Sequence, residues 1–202
     1  DASAEATEPD SVNFFGVGYG ILRHTDERGT TSLLLDYGPN RSHGHPDKLN
    51  VDLWTFGDRL IPDPGSVWYE QPIYRQWYHT TLSHNTLIVD ELDQRPTGAE
   101  QLVYGPAATL SLQRARTRDA YPGVLMDRAV FLTPDYLADL FGAFGRVQRT
   151  MDLAWHLRGD LAADLPVEPF AFAEPREMGY VALENCRRAA TDQAWQAAFT
   201  RP

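Results

Sequence analysis

Apolar residues in this chain recur mostly at every second position, in short runs closed by Gly, Pro, Asp or Asn. In NFFGVGYGILR, Phe15, Val17, Tyr19 and Ile21 alternate with Gly16, Gly18 and Gly20, the spacing of a strand. Its glycines do not make a nucleotide loop, because the run is G-x-G-x-G within a strand pattern and no helix follows. TTSLLLDYG, LNVDLWTFG, HNTLIVD, ATLSLQRAR, GVLMDRAVFL and RTMDLAWHLRG are further strand candidates. In the last, Met151, Leu153, Trp155 and Leu157 alternate with Asp152, Ala154, His156 and Arg158, which predicts one core face and one wet face. YLADLFGAF fits a strand or a short helix. Short strands divided by turns, with no long regular helices between them, predict an all-β fold, an antiparallel β-sandwich.

The ends read differently. Residues 1–12 open with DASAEATEPDS, acidic and small, as a disordered lead-in or linker; residues 13–202 read as one domain. ALENCRRAATDQAWQAAF has weak helical character and no obvious final strand, so the domain is expected to be truncated from something longer. At 202 residues the chain can bury a core without disulfides, and Cys186 is its one cysteine. A net charge of −10 argues against a nucleic-acid binder or a binder of anionic membranes. No apolar run approaches the ~20 residues of a membrane span.

Candidate chemistry gathers in RSHGHPDKLNVDLWTFGDRLIPDPG and LSHNTLIVD, which hold three of the six histidines. His43 and His45 are two apart and share a face if the segment is extended. His45 or His43, with Asp63 and His84 on neighbouring strands, would make a familiar zinc set of imidazoles and a carboxylate. Magnesium, which prefers oxygen ligands, fits less well. The alternatives stay open at this point: Asp63 before Pro-Gly also reads as a turn former, and Asp47 as a rival ligand or a turn residue. His24, His79 and His156 have no partner in sequence, and Lys48, the chain's one lysine, reads as incidental.

HGHPDKLNVDLWTFGDRLIPDPGSVWY, then WYHTTLSHNTLIVD, then DLAWHLRG resemble, in that order, segments of the heparinase II/III-like polysaccharide lyases, which include oligoalginate lyases. The resemblance covers roughly residues 13 to 160. It implies a supersandwich-like domain forming the C-terminal part of a larger toroid-plus-sandwich enzyme, with the active cleft between the two. It implies a chiefly structural zinc on His45, Asp63 and His84, and His43 facing the uronate of the substrate. Asn85 would hold neighbouring strands through side-chain hydrogen bonds.

The implied reaction is β-elimination from an acidic polysaccharide or oligosaccharide of alginate or glycosaminoglycan type. The proton alpha to the sugar carboxylate leaves once that carboxylate is neutralised, the logic of an oxyanion hole. A tyrosine or histidine serves as base, and often the same or another tyrosine as acid. Tyr69 is the candidate, although an ungapped register sets Glu70 against the expected tyrosine and keeps Tyr74 and Tyr78 as rivals. Trp68, Tyr74, Trp77 and Arg75 are candidate substrate contacts, and Arg41 and Arg95 further cations for an acidic glycan. Other catalytic groups would come from the helical toroid of the same polypeptide, so the chain alone would have weak activity at most. The resemblance fits a bacterial periplasmic or secreted enzyme, or a cytoplasmic one acting on oligosaccharides. Two alternatives are a non-catalytic carbohydrate-binding module with a structural zinc and a platform of Trp68, Trp77 and Tyr69, and a zinc hydrolase using metal-activated water.

Overall fold

The structure is a computed structural model describing residues 10–39, 43–174 and 176–200. Among these, two antiparallel sheets face one another. The first runs in chain order through β1 (Val12–Phe14), β2 (Tyr19–Asp26), β3 (Gly29–Asp36), β4 (Val51–Thr55) and β5 (Asp58–Ile61). A short β6 (Leu87–Val89) precedes the second sheet, made of β7 (Glu100–Gly105), β8 (Ser111–Tyr121), β9 (Val124–Leu132) and β10 (Leu137–Gly145), ordered β10-β9-β8-β7. β11 (Met151–Leu153) pairs with β6. β12 (Asp160–Ala163), β13 (Glu168–Pro169), β14 (Arg187–Arg188) and β15 (Ala197–Thr200) close as two small ladders, β12 with β15 and β13 with β14.

The period-2 pattern explains the layers. Leu22, Leu33, Leu35 and Val51 point inward from the first sheet and meet Ala115, Met126, Val130 and Leu132 from the second in one buried cluster. Each fully buried aliphatic side chain contributes about 1.5–3 kcal/mol. Tight turns link the strands. Phe56 and Gly57, both at positive φ (50° and 84°), form the two-residue β4–β5 loop, a geometry that matches strand twist. A second small cluster of Leu82, Ile88, Ala154 and Tyr180 lies beside β6.

The structure corrects several expectations. NFFGVGYGILR is not one strand: β1 ends at Phe14, and the Phe14 carbonyl accepts the N–H groups of Val17 and Gly18 to reverse the chain. A Cβ on Gly18 would lie 2.0 Å from Gly38 Cα, so this turn needs glycine. β1 begins at Val12, inside the expected lead-in, of which residues 1–9 lie outside the described residues. YLADLFGAF is strand β10. In RTMDLAWHLRG, Met151 and Leu153 are exposed while Ala154 is buried. The inward face of β11 is instead that of Asp152, whose carboxylate accepts the Tyr180 hydroxyl at 2.5 Å. The last segment forms β14 and β15, not a helix. Among the described residues, no helix is long and apolar enough to cross a membrane.

Candidate metal and catalytic site

Two irregular segments carry the site: residues 43–50, between β3 and β4, and residues 79–86, leading into β6. Irregular backbone stays buried only if its polar groups find partners, and here they do. Thr81 Oγ1 donates to Pro46 O (2.7 Å), and Lys48 N–H donates to Gln94 Oε1 (2.7 Å). Lys48 O accepts from Thr86 Oγ1 and Gln94 Nε2. Leu49 and Asn50 exchange backbone hydrogen bonds with Asp36. Asn50 bridges the segments, accepting from Asn85 N–H and donating to Asp63 Oδ2, each at 2.8 Å. Asn85 Nδ2 donates to Val51 O and Pro62 O, and its Oδ1 accepts from His156 N–H.

This frame brings His45 and His84 together, with His45 Nδ1 3.1 Å from His84 Nε2. His84 is fully buried, and its Nδ1 donates to Thr80 O at 2.8 Å, which leaves the Nε2 lone pair facing His45. Burial, helped by the neighbouring His84 and His79, pushes the His45 pKa down to about 4. Burial likewise lowers that of His84. Both rings are therefore neutral ligands at pH 7. Two carboxylates flank them: Asp63 Oδ2 lies 3.7 Å and Asp47 Oδ2 3.8 Å from His84 Nε2. His45, Asp47 and His84 each offer an atom within 4.8 Å of the others, so the rival carboxylate, Asp47, joins the tightest group. Asp63 is held beside it by Asn50 and by Gly65 N–H. Two neutral imidazoles and the Asp47 carboxylate, with Asp63 3.7 Å from His84, suit a borderline divalent cation.

Beneath the cluster, Lys48 is buried between Asp36 (2.7 Å) and Asp47 (2.9 Å). Two carboxylates share one ammonium. Burial, with Asp47 next to it, raises the Asp36 pKa to about 7, and the pair of carboxylates holds Lys48 above the usual lysine range. Lys48 is thus a structural cation, not an incidental one.

The outer wall is a separate pair. His43 Nδ1 and the Tyr69 hydroxyl lie 2.5 Å apart, with the rings stacked at 5.9 Å. The His43 segment is a loop rather than a strand, and it sits on a cavity of about 580 Å³ shared with His45, Asp47, Asp63, Asp36 and Arg59. Aromatic rings continue inward: Tyr69 to Tyr74 (4.8 Å), Tyr74 to His79 (5.3 Å) and His79 to His45 (5.4 Å). His79, read as unpartnered in the sequence, joins this row.

The candidate contacts divide. Trp68 and Arg75 are exposed beside Tyr69 and Tyr74. Trp77 does not line the cavity: half-buried, it packs on the second cluster and meets the His156 ring edge-on at 5.5 Å. Arg41 lies outside the described residues. Asn50, Gln94, Thr81 and Asp36 escaped the sequence reading. They carry no spacing motif, and only a buried loop gives them work.

The comparisons with known proteins bear on the family and the fold. The family model for the C-terminal region of heparinase II/III-like proteins matches residues 6–200. An alginate lyase of Stenotrophomonas maltophilia is 32% identical over 168 residues, 71% of this chain and 23% of that protein. A heparin-sulfate lyase of Pedobacter heparinus is 27% identical over 140 residues, 67% of this chain and 21% of that protein. The chain thus spans less than a quarter of either relative. Among solved structures, a heparinase III (BT4657 gene product) superposes with a TM-score of 0.70 at 21% identity, over 82% of this chain and 27% of that one. The heparan sulfate lyase HepC of Pedobacter heparinus gives 0.67 at 23% identity, over 77% and 25%. These two likenesses speak for the fold. With a family match over nearly its whole length, the chain belongs to the heparinase II/III-like, C-terminal family.

Proposed function

We propose that this domain is the sandwich part of a polysaccharide lyase that cleaves a uronic-acid-containing glycan, of alginate or glycosaminoglycan type, by β-elimination. The observation that carries the reading is the His43–Tyr69 contact at 2.5 Å, with His43 lining a cavity that also holds the His–Asp cluster. The Tyr69 hydroxyl faces an imidazole nitrogen that can take its proton. A free phenol has a pKa near 10 and an imidazole near 6.5, so the transfer is uphill in water by about 3.5 units. A sugar carboxylate bound against His43 favours the imidazolium and so favours the transfer. The pair then presents a cation to the carboxylate and a phenolate to the α-proton. Tyr69 takes that proton, a carbon–carbon double bond forms as the β C–O bond breaks, and the leaving oxygen takes a proton from Tyr69.

His45, Asp47 and His84, with Asp63 beside them, would hold a zinc ion. Bound there, it would fix the two loops and so the position of His43, two residues from His45. The remaining groups of the cleft belong, on this reading, to a helical toroid of the same polypeptide. The much greater length of the relatives supports this.

The test is to incubate the full-length polypeptide with alginate, heparan sulfate and related uronates and follow the ultraviolet absorbance of the unsaturated end. Product that disappears with Tyr69→Phe and His43→Ala supports the reading. Glycan binding that survives both changes, with no product from any uronate, would instead favour a binding module built on exposed Trp68.

A further inference from the structure

The two ligand segments come from loops that no shared strand ladder aligns. We infer that Arg128 is a positioning residue that, with the Asn50 bridge, sets them against each other, an inference that rests on the metal reading above. Arg128 stands on β9 of the opposite sheet, is fully buried, and reaches across the core. Its Nη1 donates to Leu49 O at 2.7 Å and to Asn85 O at 2.5 Å. Leu49 is two residues after Asp47, and Asn85 follows His84 directly. One nitrogen thus gathers both segments at their ligand ends.

The rest of the side chain is immobilised. Nε and Nη2 make a paired contact with the Asp139 carboxylate, at 2.9 and 2.7 Å. The rings of Phe141 and Trp155 lie 4.7 and 5.1 Å from the guanidinium carbon. Four of the five N–H donors are therefore used, with geometry that a lysine cannot copy. Leu49 itself has φ +64°, a conformation uncommon for a bulky residue, and it is in this conformation that its carbonyl meets Arg128. Burying a charge costs desolvation, and an apolar side chain would fill the space more cheaply. What the guanidinium adds is a fixed distance between two carbonyls.

The experiment loads the 202-residue protein with zinc, and separately with cobalt(II), whose visible absorption reports coordination geometry. Wild type, Arg128→Met, Arg128→Lys and Met126→Ala are compared, the last a core change on the same strand that removes no hydrogen bond to either ligand segment. Loss of an outer support of a metal site typically weakens metal binding 10–100-fold. Arg128→Met is expected to lose affinity in that range with an altered cobalt spectrum, and Arg128→Lys to fall between it and wild type. Met126→Ala should keep both affinity and spectrum while losing stability. A folded Arg128→Met or Arg128→Lys with wild-type affinity and spectrum overturns the inference and leaves the metal reading intact. If Arg128→Met does not fold, the lysine variant decides alone. Wild type that takes up neither ion overturns the metal reading itself.

Discussion

His45 Nδ1 and His84 Nε2 meet at 3.1 Å although 39 residues separate them in the chain. The Nε2 lone pair of His84 is committed toward His45, because its Nδ1–H is spent on Thr80 O. Either His45 donates a proton across the gap or both nitrogens face a cation, and the two carboxylates alongside favour the cation. The protein is expected to carry about one zinc per chain by elemental analysis. A ligand present at ~1,000 times its Kd stabilises by about 4 kcal/mol, so chelation should lower the thermal midpoint by several degrees. His84→Gln should abolish both the bound metal and the effect of chelator.

The rings of Tyr69 and Tyr74 meet edge-on at 4.8 Å, and it is the Tyr69 hydroxyl that pairs with His43. General acid–base groups contribute about 10²–10⁴-fold. In the full-length polypeptide, Tyr69→Phe is expected to lower the elimination rate by that range with zinc content unchanged. Tyr74→Phe should cost less than about tenfold. Equal losses in the two variants would move the acid–base role off Tyr69.

Lys48 offers a third test. Removing the cation strands two buried carboxylates, and breaking a buried pair costs about 3–5 kcal/mol. Lys48→Met should therefore destabilise by that much in urea unfolding at neutral pH. Asp36→Asn should cost far less, because Asp47 still pairs with Lys48. The sign with pH follows from the raised Asp36 pKa of about 7 against 3.8 unfolded. The folded state gains a proton on acidification, so this group's stabilising share is present at low pH and lost as pH rises through 7. Asp36→Asn should remove that dependence.

What the sequence shows and hides follows from which physics leaves a pattern. Period-2 alternation marked β3, β4, β8 and β9, because each is buried on one face only. β5 (DRLI) and β7 (EQLVYG) escaped, since four to six residues with charges at the start give too few repeats to read. NFFGVGYGILR misled because a turn and a strand can both hold alternate glycines, and only the close approach of Gly38 separates them. The order of their motifs put forward His45, Asp63 and His84, and of these the structure groups His45 and His84 most tightly, with Asp47. Asp47 remained a rival because carboxylates before turns are common. Asn50 and Arg128 were missed, and Lys48 misread, for another reason: what gives them work is burial against other loops, with Asn50 meeting Asn85 and Arg128 meeting Leu49 and Asn85 dozens of residues away, and no local spacing records such contacts.

His156 gives the last prediction. Its Nε2–H donates to Leu82 O at 2.8 Å, its ring abuts Trp77, and burial holds its pKa below the ordinary 6.5. Above 6.5 the ring is neutral in folded and unfolded chains alike, so it adds no pH dependence there. Below that pH the unfolded chain takes a proton that the folded one resists, and stability falls as pH falls. The slope from one such group is at most about 1.4 kcal/mol per pH unit. His45 and His84 act in the same direction and Asp36 in the opposite one, so the total curve does not isolate His156. The difference between wild type and His156→Gln does, because Gln can keep a donor for Leu82 O and cannot titrate. Urea midpoints for the two proteins should differ by a constant above about pH 7, and the gap should shift in favour of the variant as pH falls toward about 5. Parallel curves across that range would mean that His156 is as easily protonated in the folded protein as in the unfolded chain.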